Sequence, residues 1–244
     1  MKKHLTILIL VTFLSSEGFS QFWGLRRLEV TAGAGITHFF GDIGGFTEGT
    51  NYSGFRDLSV YNTGLNAGAS VRYLVSRNFS GRVNTVFGNF HVNDKRGSNR
   101  PREFESTITF FESSLLAEYY FIKNKRDDSY LFIRGLRDTR HPGPSYYDFY
   151  LFGGIGGLAH NSIPNPALAA RNSGNKGFKA VVPFGIGISR NYSRNSKIGI
   201  ELGRRQMFSD DTDGYSYPGS RLDVYYFLNL NYTWKVKTSS NPTF

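Results

Sequence analysis

The sequence predicts an all-β fold: an eight-stranded antiparallel transmembrane β-barrel, of the size of OmpA, following a cleaved signal peptide. Three observations point there. Apolar residues fall at every second position through several segments, with glycine and charge between them. Aromatics make up 16% of the chain and glycine is abundant, with 28 residues, while mean hydropathy is −0.34. No apolar run after the first twenty residues is long enough for a spanning helix, which needs about 20 residues. A chain that is polar on average yet has one greasy face per strand is what a barrel in lipid requires.

The leader comes first. "MKKHLTILILVTFLSSEGFSQ" sets Lys2, Lys3 and His4 before the apolar run Leu5–Leu14, with small residues at Gly18 and Ser20. That is the three-part order of a secretory signal, cleaved between Ser20 and Gln21. Residues 1–20 are therefore expected to be the signal peptide and 21–244 one barrel domain. The formal charge of +10 falls to +9 when Lys2, Lys3 and Glu17 leave. The basic residues are scattered between strands rather than gathered in a stripe, which argues against nucleic acid. The chain has no cysteine, so disulfides and thiolate metal sites are excluded.

The strands follow in order. Residues 28–40 alternate Val30, Ala32, Ala34 and Ile36 against Glu29, Thr31, Gly33 and Gly35. Residues 65–75 set Leu65, Ala67, Val71 and Tyr73 against Asn66, Gly68, Ser70 and Arg72. In 78–90, Arg82 and Asn84 oppose Val83, Thr85 and Phe87; in 112–121, Glu112, Ser114 and Glu118 oppose Leu115, Ala117, Tyr119 and Phe121. Residues 149–160 read as a strand whose glycines leave its facing open. Residues 178–189 set Ala180, Val182, Phe184, Ile186 and Ile188 against Lys179, Pro183, Gly185 and Gly187. Residues 196–208 alternate Ile198, Ile200 and Leu202 with glycine, Glu201 and Arg205, and residues 223–237 close the series with Val224 to Trp234.

Connection lengths alternate, long outer loops with short periplasmic turns, as in bacterial outer-membrane barrels. Residues 41–60 and 209–222 are expected outside the cell, and Ser76–Arg77 is a periplasmic turn. Residues 123–146 break the rule: a periplasmic connection of that length is functional or disordered. It sets Tyr130, Leu131, Phe132 and Ile133 among Lys123, Arg126, Arg134, Arg137 and Arg140. An aromatic and arginine-rich cluster suits a docking element, with Tyr130, Phe132, Ile133, Arg134 and Arg137 as its contact residues. An extension of the fifth strand is the plainer alternative.

An eight-stranded barrel has an interior that side chains just fill. Inward glycines leave room for long charged partners, so Glu29, Glu112, Glu118 and Glu201 are expected to pair with Arg72, Arg82, Lys179 and Arg205. The barrel reads as a filled post rather than a pore. No catalytic, cofactor or metal residues are expected. His38, His91, His141 and His160 lie near strand ends or in loops, outside any recognisable Ser–His–acid order. "DDTDG" (210–214) fails as an EF-hand because Ser209 and Ser220 occupy its first and last ligand positions, leaving a polar loop tip. "GGIGG" (153–157) has no helix after it and so is no phosphate loop.

Five segments in order carry a family resemblance: "GITHFFGDIGG" (35–45), "ESSLLAEYYF" (112–121), "YLFGGIGG" (150–157), "PFGIGISRNYSRNSKIGIELGRRQMFSDDTDGYS" (183–216) and "DVYYFLNLNYTWK" (223–235). Together they resemble the outer-membrane β-barrel family of Bacteroidetes that includes PorG, a subunit of the type IX secretion system. The resemblance implies a non-enzymatic accessory barrel, tying a periplasmic ring of a lipoprotein and its partner protein to the outer membrane. The alternative is a stand-alone OmpA-type barrel with a structural, adhesion or lipid-binding role; a lipid-acting enzyme or small channel comes third. Outer-membrane lipid is a partner on any of these readings.

Overall fold

The computed structural model describes residues 27–43, 62–95, 100–123, 147–171, 176–193, 195–209, 212–215 and 222–236. The leader and residues 124–146, with Tyr130, Phe132, Ile133, Arg134 and Arg137, lie outside the described residues. Eight strands form: β1 (Leu28–Phe40), β2 (Thr63–Leu74), β3 (Phe79–Asn93), β4 (Glu105–Ile122), β5 (Tyr147–Pro164), β6 (Lys176–Asn191), β7 (Ser196–Met207) and β8 (Val224–Val236). Each pairs antiparallel with its sequence neighbours, and β1 closes on β8 from Leu28↔Val236 to Phe40↔Val224. Closure leaves no edge of unpaired amides, the condition for crossing lipid with strands.

Every expected strand is present, and several run longer than their alternation suggested. β3, β4 and β5 extend at the outer end to Asn93, Glu105 and Pro164. There most outward positions, Asn89, His91, Thr107, Thr109 and Asn161, are polar, with Ile163 the apolar exception on β5, so the pattern fades while the pairing continues. One helical turn, α1 (Pro166–Ala169), follows β5, capped by the Asn165 side chain accepting from the Leu168 amide at 3.0 Å.

The facing of β5, open in the sequence, is now fixed. Tyr150, Phe152 and Leu158 are buried inside, whereas Leu151 and Ile155 face out. The β5–β6 ladder is interrupted between Gly153↔Phe184 and Gly156↔Val181, opposite Pro183, which has no amide hydrogen to give. β4 and β5 slip by one residue between Tyr120 and Ile122, a bulge at the inner end.

The outward face forms a continuous apolar belt. Leu65, Val83, Leu115, Ile155, Ile186, Ile200 and Leu230 are each about half exposed or more, with Leu65 at 67% and Ile155 at 68%. Aromatics rim its inner edge: Tyr73, Phe79, Tyr119, Phe121, Tyr147 and Trp234. Burying such a belt in lipid is the only way to remove it from water, so the chain is a multi-pass outer-membrane barrel of a Gram-negative bacterium. The tight Val75–Asn78 turn, the short β6–β7 connection and the first and last strand ends share one end, which is periplasmic by the short-turn rule.

Candidate functional site: a two-layer lumen plug and its outer cap

Inward side chains fill the lumen in two layers. The inner layer is ionic. Arg72 on β2 meets Glu29 on β1 (Nη1 to Oε2, 3.0 Å) and Glu118 on β4 (Nε to Oε2, 2.6 Å). Arg82 on β3 meets the same Glu118 (Nε to Oε1, 3.0 Å) and, across the lumen, Glu201 on β7 (2.5 Å). Glu201 also lies 3.7 Å from Arg72. Phenols and a hydroxyl complete the shell: Tyr120 Oη and Ser80 Oγ donate to Glu118, and Tyr150 Oη donates to Glu201. Carboxylates with two to four charged or hydroxyl donors each are what keep buried charge tolerable.

Three predicted members, Glu112, Arg205 and Lys179, stand apart from this group. Arg205 lies further out, 3.6 Å from Glu112 through its Nε and 4.1 Å above the Phe227 ring. Lys179 was expected among the lumen cations. It lies eight residues along β6 from Gly187, the register partner of Glu201, in the row of Leu158 and Glu112. At about 3.3 Å per residue that is ~26 Å of strand, too far for the inner network. Lys197 serves there instead, with Nζ 2.8 Å from Glu29 and 3.4 Å from Asp148. Sequence reasoning passed over Lys197 and Asp148 because each sits at a strand end, where alternation has barely begun.

The outer layer is aromatic, an addition to the ion pairs expected to fill the lumen. Phe90 stacks on Phe110 at 4.3 Å, Phe110 on Phe227 at 5.6 Å, and Phe39 and Tyr225 pack against Phe90 at 5.2 and 5.1 Å. Tyr225 Oη donates to Glu112 at 2.8 Å and so ties the two layers. These rings alternate with outward residues like any others; their inward facing could have been counted from Arg82 to Phe90 and from Glu112 to Phe110. Inward glycines make the space. A Cβ at Gly187 would strike the Tyr150 ring, and one at Gly203 would strike Phe152 and Arg205. Between the layers a void of about 20 Å³, lined by Thr31, Ser70, Arg82, Glu201 and Asn229, has room for a single water.

A cap closes the outer mouth. "DDTDG" is no solvated tip: Thr212 and Asp213 are fully buried. The Asp213 carboxylate accepts from the amides of Asp42 (3.0 Å), Ile43 (3.2 Å) and Tyr215 (2.9 Å), holding the last loop to the first. Burial pushes its pKa up from 3.8 to about 7, helped by the nearby Asp42 charge and opposed by the three amides. Arg102 lies beside Asp94 (3.0 Å) between the Phe104 and Tyr215 rings, at 5.2 and 5.4 Å. Among the described residues no group of three His, Cys, Asp or Glu is placed to hold a metal.

One arrangement on the outer wall has the outline of a nucleophile and base. His91 lies 3.2 Å from Thr107 Oγ1 through Nδ1 and 3.2 Å from Glu105 through Nε2. Thr107 is paired on both sides, with His91 on β3 and Ile163 on β5. Its amide is therefore committed to the sheet and does not face an oxyanion.

No protein-family model and no curated protein matches the chain. Among solved structures, Neisserial surface protein A is similar at 10% identity and a TM-score of 0.48, covering 86% of this chain and 97% of that one. The Escherichia coli outer membrane protein W is similar at 16% identity and 0.41, covering 88% and 98%. Ail of Yersinia pestis, in complex with the heparin analogue sucrose octasulfate, is similar at 10% and 0.41, covering 85% and 99%.

Proposed function

We propose that the protein is a non-enzymatic, stand-alone outer-membrane barrel with a structural, adhesive or lipid-binding role, working through its rims and outer wall rather than through a channel. The observation that supports this is the filled lumen: an ion-paired layer bridging β1, β2, β3, β4 and β7, and stacked rings above it. An open route would require parting both layers, and parting the ionic one leaves buried charges unpaired at about 3–5 kcal/mol for each broken pair. The test is reconstitution of the purified barrel into planar bilayers. No stepwise conductance is expected; steady unitary steps from the unmodified protein would overturn the reading.

A second reading rests on the ordered segments that resemble the PorG-containing family and on topology. The 24-residue connection 123–146 joins two strand ends at the periplasmic end, where a periplasmic ring would sit. On this reading the barrel is an accessory subunit of the type IX secretion system, and Tyr130, Phe132, Ile133, Arg134 and Arg137 dock the ring. Affinity purification in mild detergent separates the two. A stand-alone barrel elutes by itself; a secretion subunit brings a lipoprotein and its partner, and loses them when residues 127–141 become a short Gly–Ser turn.

A further inference from the structure

The outward wall is apolar through the belt, so a cation at the belt's edge needs a reason. Arg190, near the end of β6, is exposed on that wall at the periplasmic edge of the belt. Its guanidinium lies 5.6 Å from the Tyr147 ring, and among the described residues no carboxylate pairs with it. An outward arginine at this depth costs free energy unless it reaches the headgroup layer and finds an anion there.

Arg190 also stands at the head of a concavity. A groove of about 600 Å³ runs along the outer wall of β6, β7 and β8, with Ile188, Ile200 and Leu230 along its apolar length. The three residues form one register row, Ile188↔Ile200↔Leu230, so their side chains lie side by side on the wall. Tyr147 and Tyr192 flank the arginine, Tyr192 being 75% exposed. Gly199 and Ser189, both on the inward side, carry almost no bulk under this stretch.

We infer that this groove holds one anionic glycerophospholipid of the periplasmic leaflet. Its phosphate sits on Arg190, the two tyrosine hydroxyls reach its headgroup and glycerol oxygens, and an acyl chain lies along Ile188, Ile200 and Leu230. Three features support that occupant over a protein segment. The head is cationic and flanked by amphipathic rings suited to the interface. The body has no polar group to fix a peptide backbone, and the whole groove faces the bilayer. This inference deepens the stand-alone reading and rests on its lipid-facing wall, but not on the closed lumen.

The test is native mass spectrometry of the full-length barrel, refolded in detergent micelles doped with phosphatidylglycerol or, separately, phosphatidylethanolamine. One phosphatidylglycerol is expected to stay bound after detergent is stripped, with phosphatidylethanolamine retained less. Arg190→Gln should weaken retention about tenfold, the loss of one charged hydrogen-bonding partner. Ile200→Trp, which fills the groove and leaves the lumen untouched, should also displace the lipid. Arg204→Gln, another outward arginine near the opposite end of β7, should retain it. Retention by the Arg190 and Ile200 variants equal to that of the unmodified protein, or no retention by the unmodified protein, would overturn the inference. Either result could coexist with a non-conducting barrel in planar bilayers, so the two readings fail separately.

Discussion

Arg72 and Arg82 are direct cross-strand partners on β2 and β3, two cations side by side on the lumen face. Like charges in that position repel. Glu118, one strand further on, resolves the conflict by touching both guanidinium groups at 2.6 and 3.0 Å. Glu201 approaches both from across the lumen at 3.7 and 2.5 Å. The four side chains thus form an alternating array in which neither arginine is tolerable without the carboxylates.

Removal of Glu118 should therefore expose that repulsion. Glu118→Ala is expected to destabilise the barrel by about 3–5 kcal/mol, seen as a lower urea midpoint. Glu105→Ala, in the partly exposed pair with Lys95, should change it by less than about 1 kcal/mol. Arg82→Ala in the Glu118→Ala background should recover part of the loss, because it removes one of the two facing cations. Equal midpoints for the Glu118 and Glu105 variants would mean the array contributes nothing.

The aromatic layer should behave as a packed core. Phe110 is 1% exposed and stacked between Phe90 and Phe227. Phe110→Ala leaves a cavity and is expected to cost about 3–5 kcal/mol in the same unfolding measurement. Leu115→Ala, on the lipid-facing side of the same strand, removes no lumen contact and should cost clearly less.

The outer cap should respond to pH. The Asp213 pKa is raised on folding, so the folded state holds its proton more tightly than the unfolded state. That contribution is fully present below about pH 3.8 and is lost as pH rises through about 7. Amide hydrogen exchange at Asp42 and Ile43, corrected for its intrinsic rate, should show protection falling between pH 4 and 7. Asp213→Asn should flatten that dependence, and an unchanged slope would show that another group sets it.

Topology can be read chemically because the chain has no native cysteine. Lys95→Cys at the β3–β4 outer end should react with a membrane-impermeant maleimide on intact cells. Ser193→Cys, in the turn between β6 and β7, should react only after permeabilisation. The reverse pattern would invert the barrel.

Alternation determined the strand count and, β5 apart, the outward set, because in a β-strand every second side chain shares a face and only one face meets lipid; the alternating connection lengths pointed to the antiparallel order. It also marked Glu29, Glu112, Glu118, Glu201, Arg72, Arg82 and Arg205 as inward, since a charge between apolar neighbours has only the lumen to enter. Which charges meet was decided by register, which sequence does not encode locally. Pairing Arg72 with Arg82 fixed Glu118 as their bridge, and the register left Lys179 eight residues along β6 from the inner network while Lys197 reached Glu29. The folding-in of Asp213 over the mouth also belongs to tertiary structure. Its three amide donors come from Asp42, Ile43 and Tyr215, two of them some 170 residues away, and only barrel closure brings those ends of the chain together.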